Sequence, residues 1–141
     1  MLRLISGLLC YLAGATIYLL WGSRQLLGHR VLGWLGLSDV IFVIRQSVFP
    51  HTPPEWVRFN LPDALWTFAY ILVIDCFFRH DIPAANHHAH SLRIWTAAIP
   101  LIGILSELMQ GLNLVPGTFD VLDLLSYSLP YIAYSIILYY I

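Results

Sequence analysis

Four stretches of this sequence, 4–21, 61–78, 92–109 and 119–140, each run for 18 residues or more with at most two charged side chains. A helix needs about 20 consecutive apolar residues to cross a hydrocarbon core roughly 30 Å thick, and inside it every backbone amide must be satisfied within the segment. Four crossings are the expectation. Composition points the same way, with 59% of residues hydrophobic and 11% charged, against about 25% charged in soluble domains. The whole chain, 1–141, reads as one all-α domain, a polytopic integral membrane helical bundle whose first partner is a lipid bilayer.

Arg3 followed by an apolar run has the form of a signal peptide, with Ala13-Gly14-Ala15 as a small-residue cleavage candidate. The run continues through Trp21, so a retained first helix is expected; Leu8-Leu9-Cys10 lacks the small residue that precedes a lipidated cysteine. Pro62 is expected in the first turn of the second crossing. Pro100 and Pro130 fall inside the third and fourth, where neighbouring helices satisfy the freed carbonyls. The segment 31–49 is apolar but broken by Asp39 and Arg45. Its uncharged part is short for a crossing, so an interfacial or re-entrant helix between the first and second crossings is preferred to a fifth span. His51-Thr52-Pro53-Pro54 forces an extended turn, 79–91 reads as a polar loop, and 111–117 reads as a tight connector.

The formal charge of −1 argues against a nucleic-acid partner, which needs a basic footprint. With four crossings, Arg3, Arg79 and Arg93 share one side with both termini, and Arg24, Arg30, Arg45 and Arg58 share the other. The positive-inside rule does not separate three arginines and an amino terminus from four arginines. Cys10 and Cys76 fall in different apolar stretches and read as buried small hydrophobes rather than a disulfide or metal site.

Against this apolar background, 106–127 carries Glu107, Gln110, Asp120 and Asp123. Antiparallel neighbours alternate direction, so the start of the second crossing, the end of the third and the start of the fourth share one membrane face. Asp63, Glu107, Gln110, Asp120 and Asp123 are therefore expected to meet there, with Tyr127 one turn deeper and Trp66 and Tyr70 below Asp63. Ionisable groups in a bilayer cost about 2.5–3.5 kcal/mol each at a helix centre and mark function by default. Capping of a helix start competes with that reading at Asp63 and Asp120. It does not cover Glu107, near the unfavourable C-terminal pole, and covers Asp123 only in part. Crowded carboxylates require a shared proton, an arginine such as Arg45 or Arg58, or a hard cation such as Mg²⁺ or Ca²⁺.

The residues E107-x-x-Q110 and G117-T-F-D120-x-x-D123, with P62-D63-A-L-W-T-F earlier, resemble the signature of the VanZ-like family of small bacterial membrane proteins. The likeness covers about 61–134 and departs at Tyr127, where many members carry asparagine, and around Pro130, where the usual glycines are replaced. The resemblance implies a multi-pass cell-envelope protein of the bacterial cytoplasmic (inner) membrane with its acidic face outward, and a founding member linked to teicoplanin resistance. It implies no biochemical activity, and no cofactor is assigned.

His80, His87, His88 and His90 with Asp81 form a candidate metal site on the opposite face, for which a flexible polar loop is the plainer reading. Asp75 and Arg79, four apart, are expected to pair. Trp21, Trp56, Trp95, Tyr139 and Tyr140 suit an interfacial belt, and Gly7 with Gly14 and Gly33 with Gly36 suit close helix approach. No nucleophile triad, phosphate loop or metalloprotease motif occurs, so binding is preferred to catalysis by the acids as general acid and base. Two functions follow: an acidic pocket that binds an envelope component, lipid headgroup or small cation, or an accessory subunit of a larger membrane complex whose acids only stabilise the bundle. A metal-dependent hydrolase or transferase comes third.

Overall fold

The computed structural model describes residues 2–22, 27–48, 52–80 and 86–140, all helices and short connections, with no strand among them. Six helices follow in order: α1 Leu2–Trp21, α2 Leu27–Trp34, α3 Ser38–Val48, α4 Glu55–His80, α5 Asn86–Gly111 and α6 Val121–Tyr140. Three stretches are long and apolar enough to cross a membrane: Leu2–Trp21, Glu55–Phe78 and Ser91–Gly111. In α6 the apolar stretch is shorter, Val121–Ile137. Large side chains such as Leu9, Leu101, Ile102 and Leu105 stay exposed along these helices. Such apolar helices suit a lipid bilayer.

Helix α4 is the hub, packing on α1, α5 and α6, while α5 and α6 also pack on each other. Its buried residues include Ala69, Ile71, Leu72 and the carboxyl-bearing Asp75, which has no exposed surface. The approach of α1 to α4 follows from two glycines. A Cβ on Gly7 would lie 3.3 Å from the Ala69 carbonyl, and one on Gly14 would lie 2.8 Å from Trp66 Nε1 and 3.2 Å from the Pro62 carbonyl. Trp66 fills the space so released: its Nε1 donates to the Tyr11 carbonyl at 3.3 Å and its ring lies 5.1 Å from that of Tyr18. On the other flank, the Tyr70 hydroxyl donates to the Trp95 carbonyl of α5 at 2.6 Å. Trp66 and Tyr70 thus serve α1 and α5 packing and do not line the acidic end.

Helix α4 starts two turns earlier than the apolar pattern suggests, because Glu55 to Asn60 continue the helix beyond the apolar window, with Val57 and Arg58 amides bonded to the Pro54 carbonyl. Pro62 therefore sits inside the helix, fully buried, and is not a first-turn proline. Its missing N–H leaves the Arg58 carbonyl without the usual helical donor. The expected loop over 79–91 is likewise shortened, since α4 reaches His80 and α5 begins at Asn86.

Between α1 and α4 the chain forms two short helices where one was expected. Helix α2 ends in a Schellman turn: Gly36 donates to the Gly33 carbonyl and Leu37 to the Leu32 carbonyl, with Gly36 at φ +71°, a conformation that glycine adopts without strain. At 8 and 11 residues, α2 and α3 rise only about 12 and 16 Å, too little to cross a bilayer. Helix α3 is tied to α1 by Arg45, which is 8% exposed and donates to the carbonyls of Leu19 at 3.1 Å and Gly22 at 2.9 Å. A guanidinium there satisfies the orphan carbonyls of a helix end and complements its negative pole. Cys10 and Cys76 are both free thiols, half-buried rather than buried.

Candidate functional site

The start of α4, the end of α5 and the start of α6 lie at one end of the bundle, and each carboxylate there meets a neutral donor. Helix α5 ends in a second Schellman turn, with Asn113 at φ 58° donating to the Gln110 carbonyl and Leu114 donating to the Met109 carbonyl. That turn sends the chain back so that Asp120 faces the last turn of α5. The Asp120 amide donates to Glu107 Oε2 at 3.2 Å, while Gln110 Nε2 donates to Glu107 Oε1 at 3.3 Å. Glu107, 5% exposed, is thus held by two N–H groups and no cation. Asp120 is the N-cap of α6: its Oδ1 accepts the Leu122 amide at 2.8 Å, and its carbonyl accepts the Leu124 amide.

One turn into α6, Asp123 Oδ1 accepts Asn60 Nδ2 of α4 at 2.5 Å. A further turn on, the Tyr127 hydroxyl donates to Asp63 Oδ2 at 3.4 Å. Asp63 lies within electrostatic reach of both Asp123 and Glu107, and Tyr18 of α1 lies within reach of Asp63. The Tyr127 ring lies flat on Gly103 of α5, where a Cβ would come within 2.6 Å of it. The six residues singled out in the sequence, Asp63, Glu107, Gln110, Asp120, Asp123 and Tyr127, fall into three hydrogen-bonded groups at one end of the bundle, joined to one another by the electrostatic reach of their carboxylates. Capping accounts for Asp120 but not for Asp63, which stands in the third turn of α4.

Neither candidate arginine supplies the counter-charge by its bonds. Arg45 serves the α1 terminus, and Arg58 pairs with Glu55 at 3.7 Å and lies 5.1 Å from the Phe59 ring centroid. Among the described residues, none of the four carboxylates at this end forms an ion pair. No group of three or more His, Cys, Asp or Glu is placed to hold a metal ion among the described residues. The cluster built on Asp81 and the side chains of His80, His87, His88 and His90 lies outside the described residues.

Two arrangements escape the sequence pattern. Asn60, 7% exposed, precedes the apolar window and has no periodic neighbour to mark it; its position one turn before Asp63 is the only sequence signal. Asp75 accepts bonds from Arg3 of α1 and from the Tyr134 hydroxyl of α6 at 2.6 Å, tying three helices together deep in the bundle. The sequence instead suggests Arg79, whose side chain lies outside the described residues.

Beside the cluster, a groove of about 490 Å³ runs between α4 and α6 from Trp56, Asn60 and Leu122 at the acidic end to Phe68 and Ala133. Its lining is almost wholly apolar. Comparison of the chain with family models, curated proteins and solved structures returns no match.

Proposed function

We propose that this chain is a four-crossing, VanZ-like protein of the bacterial cytoplasmic membrane whose acidic pocket binds the cationic headgroup of an envelope component. The observation that carries this reading is the charge imbalance at one end of the bundle. Asp63, Glu107, Asp120 and Asp123 gather there and are bonded by amides and a phenol, with no ion pair among the described residues. Acids so crowded favour a bound cation or a shared proton. Asp120 is exposed and Asp63 and Asp123 are half-buried, so a cation reaches the cluster from the headgroup layer. A fourth crossing is supported by the length of α6, 20 residues, or about 30 Å, and by the pairing of Asn60, Asp63 and Asp75 with Asp123, Tyr127 and Tyr134 in rising order, which makes α6 run parallel to α4. Helices α2 and α3, with Trp34 86% exposed, suit the membrane interface.

An accessory subunit of a larger membrane complex is the second reading, favoured by the apolar surface left open on α2, α3 and the turn between them, where Trp34, Leu35 and Val43 are all exposed. The two part on Glu107→Gln and Asp123→Asn. A headgroup site requires both variants to insert and fold as the wild type does while losing the preference for ammonium-bearing over anionic lipid in native mass spectrometry. Failure of both to assemble, or an unchanged preference, overturns the pocket and favours the structural role.

A further inference from the structure

We infer that the groove between α4 and α6 seats one acyl chain of a lipid that carries a primary ammonium, and that Asp123 at its mouth selects that headgroup. The inference rests on the proposed headgroup pocket and adds to it the place where the rest of the ligand lies. The groove has the dimensions for a chain. Its α4 wall runs from Trp56 to Phe68 and its α6 wall from Leu122 to Ala133, each about 16–18 Å of helix, which matches one leaflet of a core roughly 30 Å thick. Its volume of about 490 Å³ falls in the range of roughly 300–1,000 Å³ of ligand pockets. Two polar residues on its walls, Asn60 and Ser126, each turn one donor away from the groove. Asn60 spends an amide N–H on Asp123, and the Ser126 hydroxyl donates to the Leu122 carbonyl of its own helix at 2.9 Å. The remaining wall is almost wholly apolar and suits hydrocarbon.

The mouth supplies the discrimination. Asn60 borders the groove and hands its amide to Asp123 Oδ1, leaving the other carboxylate oxygen for a donor. Asp120 stands exposed at the same helix start. Carboxylates beside the groove, reached through Asn60 of its wall rather than lining it, repel an anionic headgroup and attract an ammonium, and rejection of the wrong charge is as much a source of selectivity as attraction of the right one. A cationic headgroup above an acyl chain matches both halves of the site, whereas a free small cation leaves the groove unexplained.

The test is native mass spectrometry of the full chain released from nanodiscs containing equal phosphatidylethanolamine and phosphatidylglycerol. The wild type is expected to retain one phosphatidylethanolamine at least ten times more often than phosphatidylglycerol. Ala133→Trp, which fills the groove from a lipid-exposed position, is expected to abolish that retained lipid; Ala64→Phe on the opposite wall gives the same readout should the first variant not assemble. Asp123→Asn is expected to keep a lipid but to lose the preference. Retained lipid in both groove variants overturns the groove while leaving the headgroup pocket standing. No preference in the wild type, with lipid still lost from Ala133→Trp, overturns the pocket and with it the assignment of the headgroup. A co-purifying protein helix in place of the lipid overturns the inference as a whole.

Discussion

Replacing Gly103 by alanine places one methyl group under the ring of Tyr127 and so perturbs the α5–α6 contact and the acidic cluster together. The new Cβ would stand 2.6–2.7 Å from three ring carbons, whereas carbons in contact rest about 3.5–4.0 Å apart, so the ring must retreat by roughly 1 Å. Overpacking of this kind costs about 1–3 kcal/mol, offset in part by about 1 kcal/mol that alanine gains over glycine inside a helix. The single variant is expected to lose about 0–2 kcal/mol, and the Tyr127 hydroxyl, already 3.4 Å from Asp63, to lose that partner. The cycle is more telling than the single variant. In a Tyr127→Ala background the clash is gone, so Gly103→Ala should be neutral or stabilising, with a coupling of about 1–3 kcal/mol between the sites. Reversible unfolding in mixed micelles, followed by tryptophan fluorescence, measures all four species. Additivity of the two changes within about 0.5 kcal/mol would refute the packing of Tyr127 on Gly103 and the α5–α6 register on which the cluster depends.

Tyr134→Phe removes a hydrogen bond to the fully buried Asp75 carboxylate and should cost about 1.5–3 kcal/mol in the same unfolding assay; an unchanged midpoint would contradict that bond. Arg45→Met strips the α1 terminus of two donors and should cost about 1–3 kcal/mol, with faster proteolysis between α1 and α3 as the second readout. Gly14→Leu drives a side chain into Trp66 and the Pro62 carbonyl and should separate α1 from α4, read as loss of folded protein on size-exclusion chromatography in detergent. Gly36→Val forces a β-branched residue to φ +71°, a strain of about 1–3 kcal/mol that should appear as a lower melting temperature.

Three of the four expected crossings correspond to helices long and apolar enough to span a membrane, and these were legible because hydropathy and length alone decide which segments a bilayer accepts. The gathering of Asp63, Glu107, Gln110, Asp120, Asp123 and Tyr127 was legible too, since alternation of direction dictates which helix ends share a face. Where reading stopped, the cause was contact between distant residues. Asp75 was assigned to Arg79 because spacing along one helix is visible in a sequence, whereas the approach of Arg3 and Tyr134 is set by how α1 and α6 lean on α4. Arg45 was offered to the acids on charge alone; the carbonyls it bonds at the end of α1 carry no side-chain signature. Asn60 and the true start of α4 were missed for one reason: a helix that continues past the apolar window loses the hydropathy signal that marked it.

Cross-linking between α4 and α6 tests the central claim, that the acidic ends of these two helices converge at one end of the bundle. With Cys10 and Cys76 replaced by serine, Asn60→Cys with Asp123→Cys and Asp63→Cys with Tyr127→Cys should each join rapidly in native membranes through a short bifunctional thiol reagent, and Asn60→Cys with Tyr134→Cys should not. Cross-linking of that last pair in preference to the first two would contradict the parallel packing of α4 and α6, and the acidic site would be gone.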